Sequence, residues 1–222
     1  MTLRNYTLAQ LFERLILPAL WETLYMVALA GMMAIIIGLL IGVILFVTDK
    51  EGLRPNRSIY NVVDGLINIV RSFPFTILMI SIIPITRSIV GTSLGVNAAL
   101  VPLTITNSSF MARIYQNSFN EVDKSLIEAA RSFGLKDSQI VVKFVLSEAV
   151  PAIVSGISLG IISLLSQTAA AGAIGAGGLG ATAIQYGYQS FNNRVMYSIV
   201  VVLIVLVAII QLTGNFLYKK LK

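Results

Sequence analysis

Four stretches of this 222-residue chain hold no charged side chain: between Glu22 and Asp49, between Arg87 and Arg113, between Glu148 and Arg194, and between Arg194 and Lys219. A helix crossing the hydrocarbon core needs about 20 mostly apolar residues, so each gap can hold one. Composition agrees: 56% of residues are hydrophobic, 12% are charged and the mean hydropathy is +0.86, too apolar for an ordinary soluble domain. The expectation is a single all-α membrane domain over residues 1–222. A net charge of +6 then reads as an orientation signal, and no nucleic-acid partner is expected. The absence of cysteine excludes disulfides and thiolate metal sites, and the absence of histidine removes the usual metal ligand and general base. Residues 1–20 do not read as a cleaved signal peptide, because Glu13 and Arg14 interrupt their only apolar run.

Hydropathy and turn residues predict five spans, at about 23–47, 58–85, 96–114, 150–170 and 195–218. The second is the least regular, because Asp64, Arg71, Pro74 and Pro84 interrupt it. With five spans, Lys50, Arg54, Arg57, Arg113, Lys124, Arg131, Lys136, Lys143, Lys219, Lys220 and Lys222 fall on one side. Arg4, Arg14, Arg87 and Arg194 fall on the other. This bias predicts an external N-terminus and a cytoplasmic C-terminus.

The cytoplasmic loop of about 121–148 contains "SLIEAARSFGLKDSQIVVKF", polar among oily neighbours. Leu126, Ala129, Ala130 and Phe133 recur at i, i+3, i+4 and i+7, one apolar stripe on a short helix. Ser125 and Glu128 have the spacing of a capping box. Gly134 stands where a left-handed cap would end the helix, and Asp137 or Ser138 can cap a second one. Two uses fit: an interfacial helix on the headgroups, or a docking element for a soluble partner.

The segment "EAARSFGLKDSQIVVKFVLS" resembles the EAA loop of permease subunits of bacterial ABC importers, with Glu128, Ala129, Ala130, Gly134 and Leu146 in register. Phe144 and Ser147 depart from the second half of that pattern. "RSFPFTILMISIIPITRSIVGTSLG", "VPLTITNSSFMARI" and "GAIGAGGLGATAIQYGYQ" are similar to the methionine-uptake branch, from about Trp21 to the C-terminus. The resemblance implies a type I ABC importer permease in the bacterial cytoplasmic membrane. Its expected partners are a second copy, two ATPase subunits that carry ATP and Mg, and an extracytoplasmic methionine-binding lipoprotein. It also implies a coupling helix on the ATPase: Leu126, Glu128, Ala129, Ala130, Arg131, Phe133, Gly134 and Lys136. The chain itself has no Walker pattern GxxxxGK[ST], so it is expected to be non-catalytic and to bind no cofactor.

Other residues are candidates on their own chemistry. Gly175-Ala176-Gly177-Gly178-Leu179-Gly180 fits GxGxxG, but no strand precedes it and no Asp or Glu follows Glu148. A dinucleotide site is therefore rejected. The same glycines read either as a flexible external loop or as a close-packed turn near an outer gate, and the resemblance favours the turn as a contact for the binding protein. Arg71, Gln167, Thr168 and Ala170 are candidates for the solute path or its gate, against structural roles such as interhelical hydrogen bonds. A proline kink after Arg71 would free carbonyls for it to bind. Asp64 reads as a headgroup-level carboxylate, and Tyr186, Tyr188 and Phe191 as an interfacial belt. Rival readings are a permease of this class for another solute, and a gradient-driven carrier. The carrier is disfavoured because the deep spans hold no acid other than Asp64.

Overall fold

The structure, a computed structural model, describes residues 7–221. Arg4 and Lys222, used above for orientation, lie outside the described residues. All regular elements among the described residues are helices. The first, α1, runs unbroken over Ala9–Thr48, 40 residues, and so begins well before the predicted span. Glu13, Arg14 and Glu22 suggested a boundary, but they lie on exposed faces of the same helix. A wider π-turn at Phe12–Ile16 lies just before Pro18, whose missing N–H removes one backbone bond there.

The interrupted second segment takes the form of three helices: α2 (Arg57–Ser72), α3 (Phe75–Ser81) and α4 (Ile83–Val90). Between α2 and α3 the axis turns by 106°. Pro74 explains the corner, since it excludes the α conformation for the residue before it, and Phe73 is extended at φ −85, ψ 133. Arg71 does not use carbonyls freed at this corner. Its exposed guanidinium has no hydrogen bond or ion pair among the described residues.

Helix α5 (Val96–Asn120) is the centre of the subunit, with 14 of its 25 residues buried. It lies between α1 and a second long helix, α7 (Asp137–Gly172), and a short helix α6 (Lys124–Ser132) joins α5 to α7. Two glycine pairs at four-residue spacing make the sandwich possible. A Cβ on Gly38 or Gly42 of α1 would stand 2.5 or 2.6 Å from the Cβ of Met111 or Tyr115. On the other side, Gly156 and Gly160 of α7 receive Ile114 and Met111. In lipid such contacts stabilise through close van der Waals packing rather than transfer from water. The chain closes with α8 (Gly178–Thr182), a π-turn at Ala183–Tyr188 and α9 (Asn193–Leu221).

Helices α1, α7 and α9 are long and apolar enough to cross a bilayer, and α2 with α3 would add a broken fourth crossing. Helix α5 is more polar because Asn107, Ser108, Ser109, Gln116 and Ser118 face the bundle interior. At 25 residues it still spans about 37 Å. The fourth predicted span and the second loop helix are not separate elements: α7 runs unbroken from Asp137 through the π-turn Val141–Val145 to Gly172.

Candidate functional site

Two constellations stand at opposite ends of the bundle. At one end, α6 begins two residues earlier than the capping-box spacing indicates. Its cap is Asp123, whose carboxylate accepts from the Ser125 N–H at 2.8 Å, and this bond holds the carboxyl below its usual range. Ser125 is therefore not the cap. The Glu128 carboxylate makes no hydrogen bond among the described residues and projects from an exposed position. The predicted glycine cap is present in full. Gly134 has φ +74, its N–H donates to Arg131 O at 2.8 Å, and Leu135 N–H donates to Ala130 O at 3.3 Å. These two bonds form a Schellman motif, with no atom within 4 Å of where a Gly134 Cβ would lie. The next helix is capped by Lys136, not Asp137 or Ser138: Gln139 Oε1 accepts from the Lys136 N–H at 2.9 Å.

The apolar stripe divides. Leu126, Ile127 and Ala130 turn inward onto the cluster of Phe46, Leu53, Phe119, Val122 and Ile140. Ala129 and Phe133 turn outward, and Phe133 is 85% exposed. The outer face of α6 therefore presents Ser125, Glu128, Ala129, Ser132 and Phe133, a small patch with one bare aromatic ring. Isolated apolar side chains on a surface are ordinary, but this one sits on a short capped helix beside a left-handed joint.

Above α6, a polar network joins α2 to α5. Arg113 donates to Asp64 Oδ1 at 2.6 Å, Asn68 Oδ1 at 3.1 Å and Gln116 Oε1 at 2.7 Å. Gln116 donates to the Tyr60 hydroxyl at 3.2 Å. Tyr60, Asp64 and Asn68 recur every four residues, a signal present in the sequence. The partner, Arg113, lies 49 positions from Asp64, which no local pattern reveals.

At the opposite end the glycine-rich segment is a close-packed turn, not a flexible loop. Gly177 and Gly178 have φ +89 and +75, which lets the chain reverse into α8. Glu22 Oε2 accepts from the Gly178 N–H at 2.6 Å, and Thr23 Oγ1 accepts from the Leu179 N–H at 2.9 Å. A Cβ on Gly180 would lie 2.3 Å from Ala169 O, so α8 presses directly on the α7 backbone. Gly175 O accepts from Gly95 N–H at 2.9 Å, tying in the start of α5. The amides a phosphate would need are thus occupied by Glu22 and Thr23. Glu22 was not among the sequence candidates, since its partner lies 156 residues away.

The gate candidates are mixed. Thr168 is buried with its hydroxyl on Leu165 O at 2.7 Å, and Gln167 Nε2 reaches Ser163 Oγ at 3.3 Å, both inside α7 rather than between helices. Ala170 is half-buried, and its carbonyl serves the turn by accepting from Ala173 N–H at 3.2 Å. Gln167 Oε1, Thr104 Oγ1, Ser108 Oγ and both amide atoms of Asn107 are buried without partners among the described residues. The polar run from Thr104 to Ser109 inside an apolar span was the available signal for the last three. Tyr188 and Phe191 are 70% and 89% exposed, whereas Tyr186 packs on the cluster around Leu179 and Val195.

The chain is thus an all-helical membrane subunit with a short capped helix at one end and a clasped turn at the other. Residues 38–222 match the model of the binding-protein-dependent transport system inner membrane component family, and the chain belongs to that family. It is 45% identical over 217 residues to the probable D-methionine transport system permease protein MetI of Vibrio cholerae, covering 96% of each chain. It is 43% identical over 197 residues to the methionine import system permease protein MetP of Bacillus subtilis, covering 89% of each. In structure it matches a chain of the MetNI methionine ABC transporter in an inward-facing conformation, with a TM-score of 0.92, 42% identity and coverage of 94% and 96%. The fold is that of a type I ABC permease. A likeness at TM-score 0.76 and 20% identity to an amino acid ABC transporter shows the same fold.

Proposed function

We propose that this chain is the membrane subunit of an ATP-driven methionine importer of the bacterial cytoplasmic membrane. Two copies form the path, two separate ATPase subunits bind ATP and Mg, and an extracytoplasmic binding lipoprotein delivers L- or D-methionine. Five crossings place the N-terminus outside and the C-terminus inside, with α5 and the broken α2–α3 segment completing the set. The outer face of α6 seats in the ATPase, and closure of the ATPases rocks the bundle from inward- to outward-facing. The clasped turn at Gly175, Gly177, Gly178 and Gly180 then meets the binding protein.

One observation carries this reading most: a helix of 9 residues held outside the bundle, closed by a Schellman glycine and exposing Phe133 at 85%. A solute path needs no such element, whereas a power stroke from a soluble partner does. The identity over nearly the whole chain to methionine permeases supports the solute. A gradient-driven carrier fits less well, because the carboxylate of Asp64 is already engaged by Arg113 and Asn68. Labelled methionine, offered with a panel of other amino acids to vesicles containing the full complex, tests the solute. Methionine is expected to accumulate with ATP, and preference for another amino acid would redirect the reading.

A further inference from the structure

We propose that the loop between α1 and α2, residues 49–56, is a strut that positions the coupling segment, with Glu51, Leu53 and Arg54 as its positioning residues. The proposal rests on the reading of α6 as the element that takes the ATPase stroke.

From this one loop, contacts reach both ends of α6 and the start of α7. Glu51 pairs with Lys124 in the first turn of α6, and this ammonium holds the Glu51 carboxyl below its usual range. Leu53 O accepts from Arg131 Nη2 at 2.5 Å in the last turn. Arg54 pairs with Asp137 at the head of α7. The Leu53 side chain, 7% exposed, lies in the same apolar cluster as Val122, Ala130 and Ile140. The loop is in turn fixed to the end of α1. Arg54 N–H donates to Val47 O at 2.9 Å, and Asn56 N–H to Thr48 O at 3.0 Å. A Cβ on Gly52 would lie 2.3 Å from Phe46 O, so the loop has no room to slide there.

Between loop and α6 lies a cleft of about 310 Å³, bordered by Phe46, Phe119 and Ile127. The strut therefore touches the lever at discrete points instead of packing along it. Besides the chain joints to α5 and α7 and the apolar cluster shared with Phe46 and Phe119, those points give a displacement of α6 a route to the end of α1 and the start of α2. Exposed ion pairs such as Glu51–Lys124, with side chains 59% and 71% accessible, contribute little to stability. What they fix is the relative placement of two short segments.

The test uses the whole complex in vesicles, with methionine uptake and ATP hydrolysis measured together. Glu51→Ala combined with Arg54→Ala is expected to lower uptake per ATP about fivefold or more while the amount of assembled complex is unchanged. An unchanged ratio, or a loss confined to assembly, overturns the strut. The chain has no cysteine, so Glu51→Cys with Lys124→Cys gives a clean bridging pair. Joining the two with a short bifunctional thiol reagent is expected to preserve uptake per ATP, because loop and α6 move as one body. Loss of uptake on bridging also overturns the proposal. Phe133→Ala, on the outer face of α6, separates the two levels. If it lowers uptake per ATP and the loop variant does not, only the strut fails. If neither lowers it, the coupling reading fails as well.

Discussion

The two ends of the subunit solve the same problem, holding a loop against a helix bundle, by opposite means. At the end away from α6, Glu22 and Thr23 grip the amides of Gly178 and Leu179, and glycines bring α8 onto the bare backbone of α7. At the α6 end, the exposed pair Glu51–Lys124 and the bond from Arg131 to Leu53 O hold α6 at its extremities, and the glycine that ends α6 has open space around it. The first arrangement resists displacement because any movement leaves donors unpaired and backbones apart. On the proposed coupling role, the second lets α6 move as a unit while keeping its register. Glycine serves both ends for different reasons: steric contact at Gly180, backbone handedness at Gly134.

Substitutions at the two glycines should separate those reasons most sharply. Gly180→Val drives a side chain into the Ala169 backbone, and overpacking of this kind costs about 1–3 kcal/mol or more. It is expected to lower the thermal midpoint and the yield of monodisperse detergent-solubilised protein more than any other change considered. Next comes Glu22→Ala, which strips a charged acceptor from a half-buried amide and should cost about 1.5–3 kcal/mol. Faster hydrogen exchange at Gly178 would report it, and Glu22→Gln should restore part of the protection because an amide oxygen still accepts. Gly134→Val forces a β-branched residue to φ +74, a local cost of about 1–2 kcal/mol with no clash. Its thermal midpoint should fall less than that of Gly180→Val, while uptake per ATP falls sharply. Glu128→Lys is expected to leave thermal stability within about 0.5 kcal/mol, as for ordinary surface changes, and to weaken retention of the ATPase during purification. Equal thermal losses at Gly134 and Gly180 would erase the distinction between the two ends.

Much of this fold could be read from charge spacing alone. The long apolar helices announce themselves, and Gly134 declares the end of α6 because few other residues adopt its conformation. The broken second segment was visible as Pro74, but its 106° corner was not, since a proline marks a break without fixing its angle. The capping box at Ser125 and Glu128 failed because Asp123, two residues earlier, offers a shorter and better-placed acceptor. Sequence periodicity placed Ala129 and Phe133 on one stripe with Leu126. Only packing decides which part of a stripe meets the core and which meets a partner. The clasp at Glu22, the pair Asp64–Arg113 and the strut at Glu51 and Arg54 all join residues 49 or more positions apart. Such pairings leave no local trace.

The measurement that bears most directly on the account is methionine accumulation counted against ATP hydrolysed. It requires vesicles holding this subunit, its ATPase and its binding protein, compared between the natural chain and Gly134→Val. The account predicts ATP-dependent accumulation with the natural chain. With the variant it predicts continued hydrolysis but little accumulation, in a complex that remains assembled. Equal accumulation per ATP in the two would contradict the placement of the power stroke at α6.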